Sequence, residues 1–283
     1  MRGSNLAQRV ATAALLAPLV VLGVLLLPNR YFALAFGVVI LVSAWEWAAL
    51  VGWSHWIQRT MYVLGTGLLL YGIFRWDAFP THGWLLLSIA ALVWWCVALS
   101  WVVRFEQGMA IEPLDSAGVR AFTGWLILLP PWGALVAIHQ YAGTGPILVI
   151  LLMVFIWGAD SGAYFAGRRF GKRRLSPRTS PGKSWEGVFG GLLTAGLMAI
   201  GIGFFARLSL AQGIVLVALS LGSVLLSVLG DVTESLFKRR IGVKDSGQLL
   251  PGHGGMLDRI DSLTAAAPFF ALAAYTADLN LLR

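Results

Sequence analysis

Nine stretches of this chain are candidates to cross a bilayer, and that leaves few folds open to it. They run roughly over residues 10–27, 31–52, 61–74, 83–103, 122–139, 145–166, 187–206, 211–236 and 263–280. A membrane helix needs about 20 mostly apolar residues. The third stretch is the shortest. Hydrophobic residues make up 58% of the 283 residues and charged ones 12%, against about 25% charged in a soluble domain. Such a chain has too little polar surface to cover a water-facing body, which excludes a soluble globule, a disordered chain, collagen and a coiled coil. The expected fold is all-α: a polytopic integral membrane protein of about nine helices. The first stretch, preceded by Arg2 and Arg9, resembles a signal peptide. It is about 18 residues long and no small-residue cleavage site directly follows Leu27, so it reads as an uncleaved anchor.

Nine spans divide the loops into two sets. Seventeen of the 21 lysines and arginines fall on the N-terminal side, leaving Arg30, Arg75, Arg207 and Arg283 on the other. The positive-inside rule then puts the N-terminus in the cytoplasm and the C-terminus outside. The net charge of +8 is thus a matter of topology and anionic headgroups, not of nucleic acid. Trp45, Trp47, Trp53, Trp56, Trp84 and Trp101 lie near span ends, as interfacial anchors do. Cys96 is the one cysteine, which rules out an intrachain disulfide and a cysteine metal site. Polar residues concentrate in 167–186 and 237–262. The chain therefore reads as an N-terminal set of about five spans, 1–140, and a catalytic set of about four, 141–283. Internal symmetry of the kind transporters show is not evident.

Acidic residues in or beside spans are expensive and usually functional. Glu46, Asp160, Glu186, Asp231 and Glu234 are of this kind. For Glu46 two readings stand: a carboxylate paired within the bundle, or a catalytic one. Asp231, Glu234, Ser235 and Lys238 share one helical face. Asp258 and Asp261, spaced i, i+3, open the last span. If the last two spans are neighbours, Asp231, Asp258 and Asp261 converge at one membrane surface. Carboxylates that close repel one another unless a cation neutralises them, and oxygen ligands beside phosphates suit Mg²⁺. The other reading pairs them with Lys238, Arg239 and Arg259, and the two can coexist.

Around these acids runs a basic, glycine-rich array: Lys238-Arg239-Arg240, Lys244-Asp245, Gly252-His253-Gly254-Gly255 and Asp258-Arg259-Ile260-Asp261. Glycines admit a phosphate to the backbone, and Lys and Arg hold its charge. Metal-binding acids beside phosphate-binding bases make the pattern of phosphoryl or nucleotidyl transfer. His253 fits a phosphate donor or a turn residue rather than a general base. A second element, Ser180-Pro181-Gly182-Lys183-Ser184-Trp185-Glu186-Gly187, follows span 6. Its Gly-Lys-Ser imitates a P-loop, but Pro177 stands where that motif needs glycine. Gly158 with Gly162, and Gly187 with Gly191, form small-residue pairs for close helix packing. Such packing would draw Asp160 and Lys183 toward the acids.

The stretch SLFKRRIGVKDSGQLLPGHGGMLDRID at 235–261 resembles the pattern of the phosphatidate cytidylyltransferases, or CDP-diacylglycerol synthases. That pattern is S-x-apolar-K-R, four residues, K-D-x-small, then H-G-G-x-x-D-R-x-D. GDVTES at 230–235, GADSGAYFAGRRFGK at 158–172 and SPGKSWEG at 180–187 are also similar to the family. The resemblance implies the reaction CTP + phosphatidate → CDP-diacylglycerol + pyrophosphate, in phospholipid biosynthesis. It implies Mg²⁺ on Asp231, Asp258 and Asp261, with a second cation left open. Lys238 would be catalytic with these acids. Lys183, Lys238, Arg239, Lys244, His253 and Arg259 would contact phosphates, with Ser235 a lesser contact. Asp160 and Glu186 would serve as supporting or nucleotide contacts. The implied partners are CTP, phosphatidate and membrane lipids, and the implied place is the inner membrane with the site facing the cytoplasm. The small-residue faces permit a homodimer. Two other classes compete. One is a different membrane lipid-phosphate enzyme, such as a CTP-using polyprenol kinase; the D-x-x-x-D spacing of alcohol phosphotransferases is missing here. The other is a transporter of a phosphorylated solute.

Overall fold

The computed structural model describes residues 2–75, 83–141, 143–249 and 254–277, with side chains from residue 14 onward. Among the described residues, nine α-helices stand at the nine expected positions. They are α1 (Arg2–Leu26), α2 (Asn29–Leu50), α3 (Trp56–Arg75), α4 (Trp84–Glu106), α5 (Ala117–His139), α6 (Gly145–Phe170), α7 (Trp185–Phe205), α8 (Leu210–Arg240) and α9 (Leu257–Thr276). Six of them, α2 and α4–α8, are long and apolar enough to cross a membrane. The protein is therefore an all-α membrane protein in its main architecture. α3 carries Gln58, Arg59 and Thr66, and α9 carries Asp258, Arg259 and Asp261, so neither is as uniformly apolar.

Boundaries move where polar residues extend helices beyond their apolar cores. α8 starts at a capping box in which Ser209 and Gln212 exchange side-chain-to-backbone bonds. It runs on to Arg240, into the expected 237–262 loop. Lys238, Arg239 and Arg240 occupy its last turn, where cations meet the negative end of the helix dipole. Gly242, at φ 74°, then ends it. The 167–186 segment is not all loop: β1 (Arg174–Ser176) and β2 (Ser180–Ser184) form an antiparallel hairpin, with Arg174 opposite Ser184 and Ser176 opposite Ser180.

α5 is the central post. Every residue from Ile127 to His139 is buried, and α5 packs against α2, α4, α6 and α9. Because α9 also touches α2, α4 and α8, the two halves of the chain share one apolar core. Hydrogen-bond networks close both ends of the bundle. At one end, the His139 ring lies 3.0 Å from Asn29 Oδ1 and 2.8 Å from Val24 O, joining α1, α2 and α5. At the other end, Arg120 Nε donates to Val51 O at 3.0 Å and Arg240 pairs with Asp115 at 2.7 Å. The connections after α2, α4, α6 and α8 gather at that second end.

Candidate active site

Lys183 is placed by the hairpin, and the hairpin is held from both sides. Ser184 caps α7, its Oγ accepting from Gly187 N at 3.1 Å. Glu186 accepts from Lys172 N at 3.1 Å and Arg173 N at 3.2 Å, so its carboxylate fastens the start of the hairpin. At the turn, Glu106 from the end of α4 accepts from Arg178 N at 3.0 Å, Thr179 N at 2.9 Å and Thr179 Oγ1 at 2.7 Å. Arg239 Nε donates to Thr179 O at 3.1 Å and its Nη1 to Val243 O at 3.1 Å. Thr179 is fully buried beneath these contacts.

The hairpin leans over a cavity of about 400 Å³ between α6, α7 and α8, lined by Asp160, Arg168, Arg174, Lys183 and Asp231 among others. Lys183 Nζ lies 2.5 Å from Asp231 Oδ2. The glycines bring the helices this close, as their spacing suggested. A Cβ on Gly162 would strike Thr194 Oγ1 and the Gly190 carbonyl, and one on Gly191 would come within 3.0 Å of Ala159 O. Larger residues at these depths would push α6 off α7 and open the cavity floor.

Where α8 meets α9, a Cβ on Gly230 would press on the Asp261 carbonyl. That tight crossing sets Asp231 near Asp261. Lys238 Nζ is 2.6 Å from Asp258 Oδ1 and 3.3 Å from Glu234 Oε1, all three side chains being largely buried. Asp258 Oδ2 accepts from Gly255 N at 2.8 Å and Ser246 N at 3.0 Å. Ser246 Oγ lies 3.1 Å from Asp258 Oδ2 and 2.8 Å from Glu46 Oε2, and with one proton it donates to one carboxylate at a time. Asp258 lies ahead of the apolar part of α9. Burial there works against its charge, but the Lys238 ammonium and the donated backbone bonds outweigh it and hold the carboxyl below its ordinary range. Both Glu234 oxygens are buried without a good hydrogen-bond partner, the Lys238 ammonium lying 3.3 Å from Oε1.

The structure thus brings Asp160, Lys183 and Asp231 together on one cavity wall, with Asp261 adjacent. Ser235 Oγ donates to Asp231 Oδ1 at 3.4 Å. Lys238 and Asp258 form a second, neighbouring pair, so the ion-pair reading of the acids is realised in part. Arg239 and Glu186 are spent on backbone groups. Lys244 and Arg259 are exposed. His253 lies outside the described residues. Among the described residues, no three His, Cys, Asp or Glu side chains stand close enough to hold a metal ion as they are. In donor type they nevertheless suit one, since Asp231, Asp258 and Asp261 offer the hard carboxylate oxygens that Mg²⁺ takes.

Two carboxylates of the N-terminal half matter more than their sequence context indicated. Glu46 is the paired carboxylate of the first reading, but its partners are hydrogen-bond donors. Glu106 stands at the end of an apolar helix, outside every motif. The only signal for either was an acid at the polar end of an apolar run. Their partners lie about 200 and 73 residues away, and sequence spacing does not reveal such contacts.

The chain matches the Cytidylyltransferase family over residues 7–277. It is 44% identical over 275 residues to a phosphatidate cytidylyltransferase of Pseudomonas aeruginosa, an alignment covering 96% of this chain and 98% of that protein. It is 41% identical over 287 residues to a phosphatidate cytidylyltransferase of Haemophilus influenzae, covering 94% and 97%. A phosphatidate cytidylyltransferase of Bacillus subtilis is 43% identical over 134 residues, 47% of this chain and 49% of that one. With the match running through every described helix and through both halves of the candidate site, the chain belongs to the cytidylyltransferase family.

Proposed function

We propose that this protein is a phosphatidate cytidylyltransferase. A phosphate oxygen of phosphatidate attacks the α-phosphorus of CTP. The new P–O bond forms as the bond from that phosphorus to the α,β-bridging oxygen breaks, and pyrophosphate leaves with the bond electrons. The observation that carries the reading is the Lys183–Asp231 pair in the wall of a cavity that also presents Asp160, Arg168 and Arg174. Cationic side chains there can hold phosphates, while the acids select against a bare anion site. An already anionic phosphate needs no general base, so His253 is left as a phosphate donor or turn residue.

Asp231 and Asp261 are the carboxylates that would hold Mg²⁺. Asp258 would join them by releasing Lys238, which is then free to meet a phosphate. Bound Mg²⁺ would stabilise negative charge on the α-phosphate and the leaving group. A second cation would find oxygens on Glu234. Lys183 orients the triphosphate, with Lys244, Arg259 and Ser235 as further phosphate contacts. Arg239 and Glu186 act through the loops they fasten, and Asp160 keeps Lys183 in place.

The nine apolar runs and the charge count of the sequence support nine spans in the inner membrane, N-terminus in the cytoplasm, C-terminus outside. The end of the bundle that gathers the four connections then faces cytosolic CTP. A homodimer is compatible with the exposed faces of the helices. The test is product analysis. Purified protein given CTP, phosphatidate and Mg²⁺ should yield CDP-diacylglycerol and pyrophosphate in equal amounts. Phosphorylated lipid with CDP instead would identify a CTP-dependent kinase and overturn the reading.

A further inference from the structure

Glu46 belongs to α2, far in sequence from every motif, yet it reaches the opening of α9. It is buried, at 6% exposure. Oε1 accepts from Met256 N at 2.9 Å, and Oε2 accepts from Leu257 N at 2.8 Å and faces Ser246 Oγ at 2.8 Å. The first backbone N–H groups of a helix have no partner inside it. Met256, at the N-cap of α9, offers no side-chain cap. Glu46 fills that need from a different helix, and its charge suits the positive end of the α9 dipole.

The surrounding glycines are fitted to this carboxylate. A Cβ on Gly247 would collide with Glu46 Oε1, and one on Gly255 with Glu46 Oε2 and Ser246 Oγ. Both glycines stand in the 235–261 stretch, and each is fitted to a residue outside it. Asp258 sits in the turn that Glu46 caps, Asp261 follows one turn later on the same face, and Ser246 links Glu46 directly to Asp258.

We propose that Glu46 is a positioning residue for the cytidylyl transfer. From α2 it fixes Ser246, Met256 and the first turn of α9, and through them the carboxylates of Asp258 and Asp261. The proposal rests on the functional reading above. It gives the N-terminal helices a part in the chemistry beyond scaffolding.

The test uses the full-length protein in detergent, as wild type, Glu46→Gln and Glu46→Ala. Misplacing reacting groups by about 1 Å costs on the order of 100-fold. Glu46→Ala is expected to lose about that factor in kcat, with a smaller change in KM for CTP and a higher Mg²⁺ requirement. Glu46→Gln retains one acceptor oxygen and is expected to recover about tenfold, the worth of one good hydrogen bond. Gly247→Ala should cost activity in the wild-type background and far less in Glu46→Ala, where the colliding carboxylate is gone. If Glu46→Ala keeps kcat within about threefold of wild type below its own melting temperature, Glu46 only stabilises the fold and the proposal falls. Amide exchange on Glu46→Gln gives a readout that needs neither the alanine variant to fold nor the reaction to be as proposed. Exchange should quicken at 254–261 and stay unchanged in α5, and an unchanged 254–261 segment would overturn the proposal. Wild type making no CDP-diacylglycerol would overturn the functional reading instead, with the exchange result still deciding the role of Glu46.

Discussion

Lys183 Nζ and Asp231 Oδ2 meet at 2.5 Å, joining the β2 strand to α8 across the cavity. The ammonium comes from the hairpin after α6 and the carboxylate from the cytidylyltransferase-like GDVTES stretch. A cation entering at Asp231 and a phosphate arriving at Lys183 would both draw on this pair. Opening it lets each partner take a ligand of opposite charge.

Lys183→Ala should therefore lower kcat/KM for CTP by about 10²- to 10³-fold, the usual cost of removing one preorganised group from a developing charge. Steady-state kinetics with the lipid held saturating would show it. Lys183→Arg should recover little, because a planar guanidinium does not replace a compact ammonium at so short a contact.

Glu106 supports Lys183 from below. Glu106→Ala strands Thr179 N–H and Oγ1 in a buried place, at about 1–3 kcal/mol for an unsatisfied buried group. The loss should be local. Tryptic cleavage at Arg174 and Arg178 should accelerate, and activity should fall while the far end of the bundle, around His139, keeps its hydrogen exchange.

The α6–α7 seam should tolerate little. Gly162→Val is expected to lower stability by about 1–3 kcal/mol through overpacking against Thr194 and the Gly190 backbone. Gly158→Ala meets the flexible end of Met198 instead, and a smaller drop in melting temperature is expected.

Sidedness is open to labelling. In a Cys96→Ser background, Arg207→Cys should react with a membrane-impermeant maleimide in right-side-out vesicles. Lys172→Cys should react only in inverted ones. The reverse pattern would turn the protein around and part the site from cytosolic CTP.

Much of this arrangement was legible in the sequence because it depends on local periodicity. Apolar runs gave the helix positions. The i, i+3 and i+4 spacings of Asp231, Glu234 and Ser235 gave their shared face, and the glycine pairs gave the tight α6–α7 seam. Contacts between distant segments were not legible. Lys238 stands in the sequence both as a phosphate ligand and as an ion-pair partner of the acids, and nothing local shows that Asp258 is the acid that holds it, at 2.6 Å. Arg239 sits in the same basic run yet is committed to two carbonyls. α9 begins earlier than its apolar run because Glu46 caps a polar first turn. The hairpin at 174–184 is not legible because its Pro and Gly residues read as loop and its tie to Glu106 lies in another span.

The most direct measurement follows the label of CTP with and without Mg²⁺, in wild type and Asp231→Asn. The account predicts that α-labelled CTP passes its label to chloroform-extractable lipid and γ-labelled CTP passes none. It predicts that chelation abolishes the transfer and added Mg²⁺ restores it. Asp231→Asn should fall by about 10²-fold or more even at high Mg²⁺. Label reaching lipid from the γ-position, or full transfer by Asp231→Asn in the presence of chelator, would contradict it.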